Sequence, residues 1–210
     1  MRQSKAYARQ VFLNCPFDPG YRPIYEAIIF TVLACGFVIR CSREREDSAE
    51  PRIAKIVEII RNSKFGIHDI CRVELDEVNG LPRFNMPLEL GLFLGAKAYS
   101  GEPAQKKKCC LVLDTEAYRY QKFISDIAGQ DIRAHGGNPE KALTETRHWL
   151  VTVGDRKRLP GPADLKQAYR EFRTDLPEIL DKVSLAEDEI RYVEFVKVVM
   201  EWLTARRKDG

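Results

Sequence analysis

The sequence predicts an α/β fold: a doubly wound parallel sheet of about five strands, with helices on both faces and a helical extension at the carboxyl end. Short apolar runs alternate with longer segments whose apolar residues recur at helical spacing. The early strands are followed by polar or turn-forming residues. The chain has 210 residues, enough for one sizeable core and a modest appendage.

The predicted elements alternate along the first three quarters of the chain. In order they are a strand at 10–14, a helix at 21–34, a strand at 37–41, a helix that ends near 62, a strand at 64–69, a helix that contains Glu89, a strand at 109–114, a short helix at 119–128, a short strand at 131–135 and a helix that starts after Pro139. Such alternation is typical of parallel sheets with right-handed crossovers. We therefore expect a flavodoxin-like domain over residues 5–153.

Sheets of this kind bind ligands outside the carboxyl ends of their strands. The loops that follow Asn14, Asp69 and Asp114 are therefore expected to share one rim with the start of the Glu89 helix. A basic segment punctuated by proline and glycine, at 154–162, is expected to be a linker. The helical hairpin expected at 163–208 carries apolar stripes that must pack against the domain or against a second subunit. A homo-oligomer formed through these helices is the expectation.

Composition narrows the function classes. Charged residues make up 31% of the chain, hydrophobic residues 44%, and the net charge is +3, as expected for a soluble globular protein that does not bind nucleic acid. The basic runs at 106–108 and 206–208 are short and are expected to be solvated.

The cysteines and the apolar runs suggest where the protein resides. Six cysteines occur without a Cys-x-x-Cys pair, and no signal peptide or membrane-length apolar run is recognised. We expect a reduced, cytoplasmic protein that has no membrane contact, uses its cysteines as small core residues and binds no metal through Cys or His.

One carboxylate stands out because it occupies an otherwise apolar, glycine-spaced helix. The segment at 85–96 reads Asn-Met-Pro-Leu-Glu-Leu-Gly-Leu-Phe-Leu-Gly-Ala and places Glu89 in the predicted first turn. Removing an unpaired charge from water is costly, and carboxylates with perturbed titration cluster at active sites. The helix dipole is expected to favour the ionised form at this position. Glu89 is therefore the leading candidate for catalysis.

Several common chemistries lack their signatures. The sequence has no P-loop, no Gly-x-Gly-x-x-Gly after the first strand and no serine in a nucleophile-elbow motif. It also has no Cys and His positions that pair as in a thiol hydrolase. These absences disfavour a conventional ATPase, dehydrogenase, serine hydrolase or thiol hydrolase. Carboxylate chemistry at the rim of the sheet remains.

Three segments resemble a known group. They are Val-Phe-Leu-Asn-Cys-Pro-Phe-Asp at 11–18, Ile-His-Asp at 67–69 and Glu-Leu-Gly at 89–91. Together they resemble the nucleoside 2-deoxyribosyltransferase superfamily, and bacterial TIR-like domains share that architecture and place a glutamate at a similar point. The resemblance covers about residues 8–114, and the Glu-Leu-Gly element is its most telling part. It does not extend to the C-terminal helices.

The resemblance implies chemistry on an N-glycosidic bond. Glu89 would act at the ribosyl anomeric carbon, as a nucleophile or by stabilising an oxocarbenium-like transition state, and Asp69 would bind ribose hydroxyls or orient the leaving base. NAD+ or a nucleoside or nucleotide would be the substrate, no cofactor would be needed, and a role in bacterial defence signalling is implied. The other expected substrate contacts are Phe12, Asn14, Pro16, Phe17, Asp18, Asn85 and Met86, with Arg40 as a further rim candidate.

Structural alternatives remain open for most of these residues. Glu89 can be a capping residue, Asn85 a plain N-cap and Asp69 a turn residue. Phe12 can be core, and Gly91 and Gly95 are expected to allow the helix to pack closely on the sheet. The family commonly has a Gly-Thr-like turn before the glutamate, whereas this chain has Arg-Phe-Asn-Met-Pro at 83–87, so its pocket must differ there.

Two other functions also remain open. The protein can be a nucleotide sensor or TIR-like assembly module without catalysis, or a purely structural interaction domain, because a fold does not establish an activity.

Overall fold

The computed structural model describes residues 6–75, 80–154 and 158–208. Its strands are β1 Gln10–Asn14, β2 Val38–Arg40, β3 Phe65–Asp69, β4 Cys109–Asp114 and β5 Arg133–Ala134. Its α-helices are α1 Arg22–Ala34, α2 Arg52–Asn62, α3 Asn85–Tyr99, α4 Pro103–Lys106, α5 Pro139–Val153, α6 Pro162–Asp181 and α7 Tyr192–Arg206.

The five strands form one parallel sheet in the order β2-β1-β3-β4-β5. This order and the flanking helices confirm the predicted flavodoxin-like α/β fold with C-terminal helices. The order reverses direction between β1 and β3, where parallel sheets of this type bind their ligands. Asn14 lies opposite His68 in this pair of strands, so the carboxyl ends of β1 and β3 stand side by side.

The C-terminal helices pack on α1 and share its core. Helix α1 is apolar on nearly all sides and is buried between the sheet and the C-terminal layer. Phe30 of α1 contacts Phe172 of α6 and Trp202 of α7, with ring centroids 5.5 and 6.0 Å apart. Of the two alternatives for the apolar stripes, packing against the domain is the one observed. The predicted linker at 154–162 lies partly outside the described residues.

Asn85 is not the N-cap of α3, because the helix already begins at this residue. Phe84 is its N-cap, and Asn85 is the first helical residue. Glu89 is therefore the fifth helical residue, beyond the first turn, and the prediction that placed it in the first turn was wrong. Among the described residues no hydrogen bond from the Glu89 carboxylate caps the helix.

Two further predictions about local structure were wrong. Residues 119–128 form two short 3-10 turns, Arg119–Lys122 and Ser125–Ile127, rather than an α-helix. The first turn follows Tyr118 in the left-handed region at φ 62°, and the non-helical backbone of Ile124, with φ −147° and ψ 60°, separates the two. A Cβ placed on Gly91 would meet no atom within 4 Å, so this residue faces open space rather than the sheet, and Gly95 is nearly as open.

Lys108 also departs from expectation, since it is fully buried rather than solvated. Its ammonium donates to the carbonyls of Ile60, at 2.5 Å, and of Ser63, at the end of α2. It also lies 4.8 Å from the centroid of the Phe93 ring. Burial lowers the pKa of Lys108 to about 8. This lysine therefore ties β4 to α2.

The described helices include none with the length and apolarity needed to cross a membrane.

Candidate functional site

A cavity of about 830 Å³ opens at the carboxyl end of β1, between the following loop and the start of α3. It lies beside the β1–β3 reversal, where the fold predicts a ligand site. Its lining residues are Asn14, Cys15, Pro16, Phe17, Asp18, Pro19, Arg43, Arg52, Arg72, Glu74, Arg83, Asn85, Met86 and Glu89. Seven of the nine expected site residues therefore line one cavity.

Glu89 forms part of the wall of this cavity and is only 6% exposed. Its carboxylate has no hydrogen-bond or ion-pair partner in the described part of the chain. Burial raises the pKa of Glu89 to about 7, and the charge of Arg52 acts in the opposite direction without a contact. Because Glu89 lies beyond the first turn, where the dipole effect fades, desolvation prevails and the expected fully ionised state is not what the site favours. At neutral pH the group exists in both protonation states.

Asn14 is held by two hydrogen bonds that fix its orientation. Its Nδ2 donates to the carbonyl of Met86, at 2.8 Å, and lies 3.1 Å from His68 Nδ1. Since the Met86 carbonyl can only accept, Nδ2 must face it, and the N–H groups of the Asn14 amide are thereby committed to the protein. No hydrogen bond among the described residues uses Oδ1 of Asn14. The side chain can therefore offer the cavity an acceptor.

His68 supports Asn14 from below as a neutral ring. Burial, and to a lesser extent the charge of Lys108, lowers the pKa of His68 to about 3. Its Nδ1 accepts from Asn14, which assigns the proton to Nε2. That Nε2 has no hydrogen-bond partner in the described part of the chain, and the ring packs edge-on against Phe12 and Phe93. His68 is thus a positioning residue beneath the cavity.

The loop after β1 is braced by two arginines. Arg72 forms an ion pair with Asp18, with 2.7 Å between Nη2 and Oδ1, and Asp18 also accepts from the Tyr21 backbone N–H. Burial alone would raise the pKa of Asp18, but its hydrogen bonds, chiefly the one from Arg72, keep it below the usual value. Arg43 lies over the ring of Phe17 with 4.4 Å between its guanidinium carbon and the ring centroid. The aromatic wall of the cavity is therefore held in place by arginines that line the same cavity.

Two expected site residues and the rim candidate do not line the cavity. Phe12 is fully buried with Phe93 and the isoleucines of α2, which is its core alternative. Asp69 is fully buried on the other face of the sheet. Arg40 forms an ion pair with Glu44 and lies outside the lining.

The position of Asp69 follows from the strand pleat. Successive side chains of a strand point to opposite faces, so Asp69 faces away from its neighbour His68. Tyr21 donates its hydroxyl to Asp69 Oδ2 at 2.5 Å, and the Cys71 backbone N–H donates to Oδ1 at 3.0 Å. Burial alone would raise the pKa of Asp69, but these contacts and that of His135 keep it low.

Asp69, Cys71 and His135 place one potential metal-ligating atom each within 4.8 Å of one another, on this second face. The Nε2 of His135 is 3.0 Å from Asp69 Oδ2 but is not aligned for a hydrogen bond. Both carboxylate oxygens of Asp69 already accept from Tyr21 and Cys71. The cluster joins the end of β3 to Tyr21, which immediately precedes α1, and to His135, which immediately follows β5.

The arginines are the part of the site that sequence reasoning missed. Arg43, Arg52, Arg72 and Arg83 all line the cavity, and all lie in or next to the predicted loops that follow β2 and β3. Only the loop after β3 was expected at the binding rim, so Arg72 and Arg83 could have been found from its arginine content, whereas nothing in the sequence placed Arg43 and Arg52 there.

The cavity therefore combines basic groups and an aromatic wall with a buried carboxylate that has no partner among the described residues.

No protein-family model matches the sequence, and no curated protein or solved structure matches it either.

Proposed function

We propose that the protein cleaves or transfers the N-glycosidic bond of NAD+, a nucleoside or a nucleotide, with Glu89 acting at the ribosyl anomeric carbon. The observation that carries this proposal is the Glu89 carboxylate, buried in the wall of an 830 Å³ cavity with no hydrogen-bond or ion-pair partner among the residues that the structure describes. A carboxylate kept there for stability alone would be expected to have a cation or hydrogen-bond donors in contact. The resemblance to deoxyribosyltransferases and TIR-like domains supports the same chemistry.

The proposed step uses the ionised form of Glu89. As the bond between the anomeric carbon and the base nitrogen breaks, its electron pair leaves with the base and positive charge develops on the sugar. The carboxylate stabilises that charge or forms an ester with the anomeric carbon. Water, or an acceptor hydroxyl or base, then supplies the new bond to that carbon and gives up its proton.

The neighbouring residues offer a stacking surface and hydrogen-bonding groups for such a substrate. Pro16 and Phe17 give an apolar and aromatic surface on which a base can stack. Asn14 Oδ1 can accept from a sugar hydroxyl, and Asn85 stands at the start of α3 on the same cavity. Asp69 has no place in this step, because it lies on the other face of the sheet.

A second candidate is a nucleotide sensor that binds without turnover. The cluster of arginines on the cavity favours it, because guanidinium groups bind phosphate whether or not a bond is later broken. It differs from the first proposal in needing no chemistry from Glu89.

The test is base release by the purified protein. Wild type, Glu89→Gln and the control Glu74→Gln are incubated with NAD+ and a panel of nucleosides and nucleotides, and free base is followed by liquid chromatography. Glu74 lines the same cavity but is exposed, so its loss should leave turnover largely intact. Release by wild type and Glu74→Gln but not by Glu89→Gln supports the proposal. Binding without release from any substrate favours the sensor.

A further inference from the structure

Two of the four cavity arginines have no carboxylate partner in the part of the chain that the structure describes. Arg72 is paired with Asp18, and Arg83 has a contact of its own. Within the described ranges Arg43 and Arg52 form no ion pair, although both side chains are exposed on the cavity. Positive charge therefore remains available in a site whose own acid, Glu89, is largely desolvated.

Nearby acidic residues are engaged elsewhere, so this charge is not simply neutralised by the adjacent loop. Each glutamate of the loop between β2 and α2 has a different arginine as its partner. The pairs are Glu44 with Arg40, Glu46 with Arg191 and Glu50 with Arg45. Asp47 accepts the backbone N–H of Ala49. The two cavity arginines thus have no carboxylate partner among residues 6–75, 80–154 and 158–208 and can bind an added anion.

Both side chains are also held in place. The guanidinium of Arg43 stacks on Phe17, which leaves the N–H groups in its plane free to donate. Arg52 donates one N–H to Ser42 Oγ at 3.0 Å. Groups fixed in this way lose less conformational entropy when they bind a ligand.

The helix ends around the cavity add to the positive field. Arg52 is the first residue of α2, at the end where the helix dipole disfavours a cation, and the first turn of α2 contains no acidic residue. The first turn of α3 also lacks an acid and a side-chain cap, and its residues Asn85 and Met86 line the cavity. An anion bound here would relieve this repulsion and could accept from free backbone N–H groups.

We infer that Arg43 and Arg52 form a phosphate subsite of this cavity, so that the site takes phosphorylated nucleosides, with a mono- or diphosphate group, in preference to free nucleosides. The nucleoside part of this inference rests on the proposed function. The phosphate part rests on the arginines alone. Arg52 and Glu89 line the same cavity but form no ion pair with each other, so a phosphate held by Arg52 need not displace the reacting sugar.

Binding to Glu89→Gln protein, measured by isothermal titration calorimetry, tests the subsite without turnover. The probes are AMP, adenosine, NAD+ and inorganic pyrophosphate. Pyrophosphate contains no nucleobase and therefore tests the phosphate contacts alone. We expect AMP or NAD+ to bind at least tenfold more tightly than adenosine, and pyrophosphate to bind measurably. Adding Arg43→Gln or Arg52→Gln should weaken phosphate-dependent binding about 10- to 100-fold, the loss expected for a charge-assisted contact.

The matched control is Arg45→Gln, which removes an exposed arginine that is paired with Glu50 and Glu58 outside the cavity. It should bind all four probes as the parent does. Circular dichroism and thermal unfolding verify that each variant is folded. Equal binding of AMP and adenosine, no binding of pyrophosphate, or pyrophosphate binding that survives both arginine substitutions would overturn the subsite.

The subsite and the proposed chemistry can fail separately. Arginine-dependent AMP binding, without base release by wild type, would retain the subsite and remove the chemistry. Base release from free nucleosides and nucleotides with equal kcat/KM would retain the chemistry and remove the subsite.

Discussion

Replacing Glu89 with Gln should make the protein more stable at neutral and alkaline pH. The folded protein raises the pKa of this carboxyl from 4.5 to about 7, so folding disfavours the ionised form. At pH 8 the buried charge therefore lowers the free energy of unfolding by about 3 kcal/mol, using about 1.4 kcal/mol per pH unit. Glutamine has the shape of the protonated acid and carries no charge, so the substitution should recover an increment of this order.

The pH dependence gives this prediction its sign. Between about pH 4.5 and 7 the folded state retains a proton that the unfolded state has lost, so the stability of wild type falls as pH rises. The advantage of Glu89→Gln should therefore be largest above pH 7 and shrink to about 1 kcal/mol or less at pH 5. Urea unfolding at pH 5 and pH 8, with m-values compared, measures both quantities.

Asp18→Asn is the matched control, because Asp18 lines the same cavity but is paired with Arg72. Its pKa is lowered by folding, so its loss should destabilise the protein at pH 7, with the difference vanishing as the pH falls below the folded pKa. If Glu89→Gln instead lowered the free energy of unfolding by about 1 kcal/mol at pH 8, Glu89 would be a stabilising cap. The inference that its buried carboxylate is kept for catalysis would then be refuted.

Three further predictions follow from the described geometry. The kcat/KM for base release should rise with pH through about 7 as Glu89 ionises, and Arg52→Gln should move the midpoint upward because it removes a charge that lowers the pKa; a pH-independent rate would contradict the role of the ionised form. Gly66→Ala should lower stability by about 1–3 kcal/mol, because its Cβ would lie 2.6 Å from the His68 ring and 2.8 Å from the Phe93 ring. Gly91→Ala should raise stability by up to about 1 kcal/mol, because its Cβ would meet nothing within 4 Å. Equal thermal shifts for the two variants would refute this contrast. Asp69→Asn should lower stability by about 1–3 kcal/mol at pH 7 yet leave the KM of the folded protein nearly unchanged, and a large KM increase without loss of stability would place Asp69 in the site after all.

The sheet could be predicted because its strands and helices carry local signals. The central strands are apolar runs bounded by polar residues, and the alternation of strands and helices indicates that the strands are parallel. Glu89 could be singled out for a similar reason, since a charge within an apolar helix is visible in the sequence alone.

Other features depended on contacts that no local pattern reveals. Lys108 appears in a basic run, but its ammonium is buried because the carbonyls at the end of α2 come within reach. Asp69 was placed at the correct strand end but on the wrong face; because adjacent strand residues alternate, His68 and Asp69 cannot both face the cavity. The sequence does not single out the cavity arginines, since only the folded chain shows which of them have carboxylate partners.

The shared core of α1 and the C-terminal helices bears on how the molecule opens. Phe172 is completely buried, with its ring against Phe30 and Phe195, so α6 and α7 cannot detach without exposing the centre of the protein. The layer should therefore unfold together with the sheet in one cooperative transition. Backbone amides in the middle of α6 should then exchange with solvent hydrogen as slowly as those of β1, and cutting the chain before α6 should yield an aggregating fragment rather than a smaller domain.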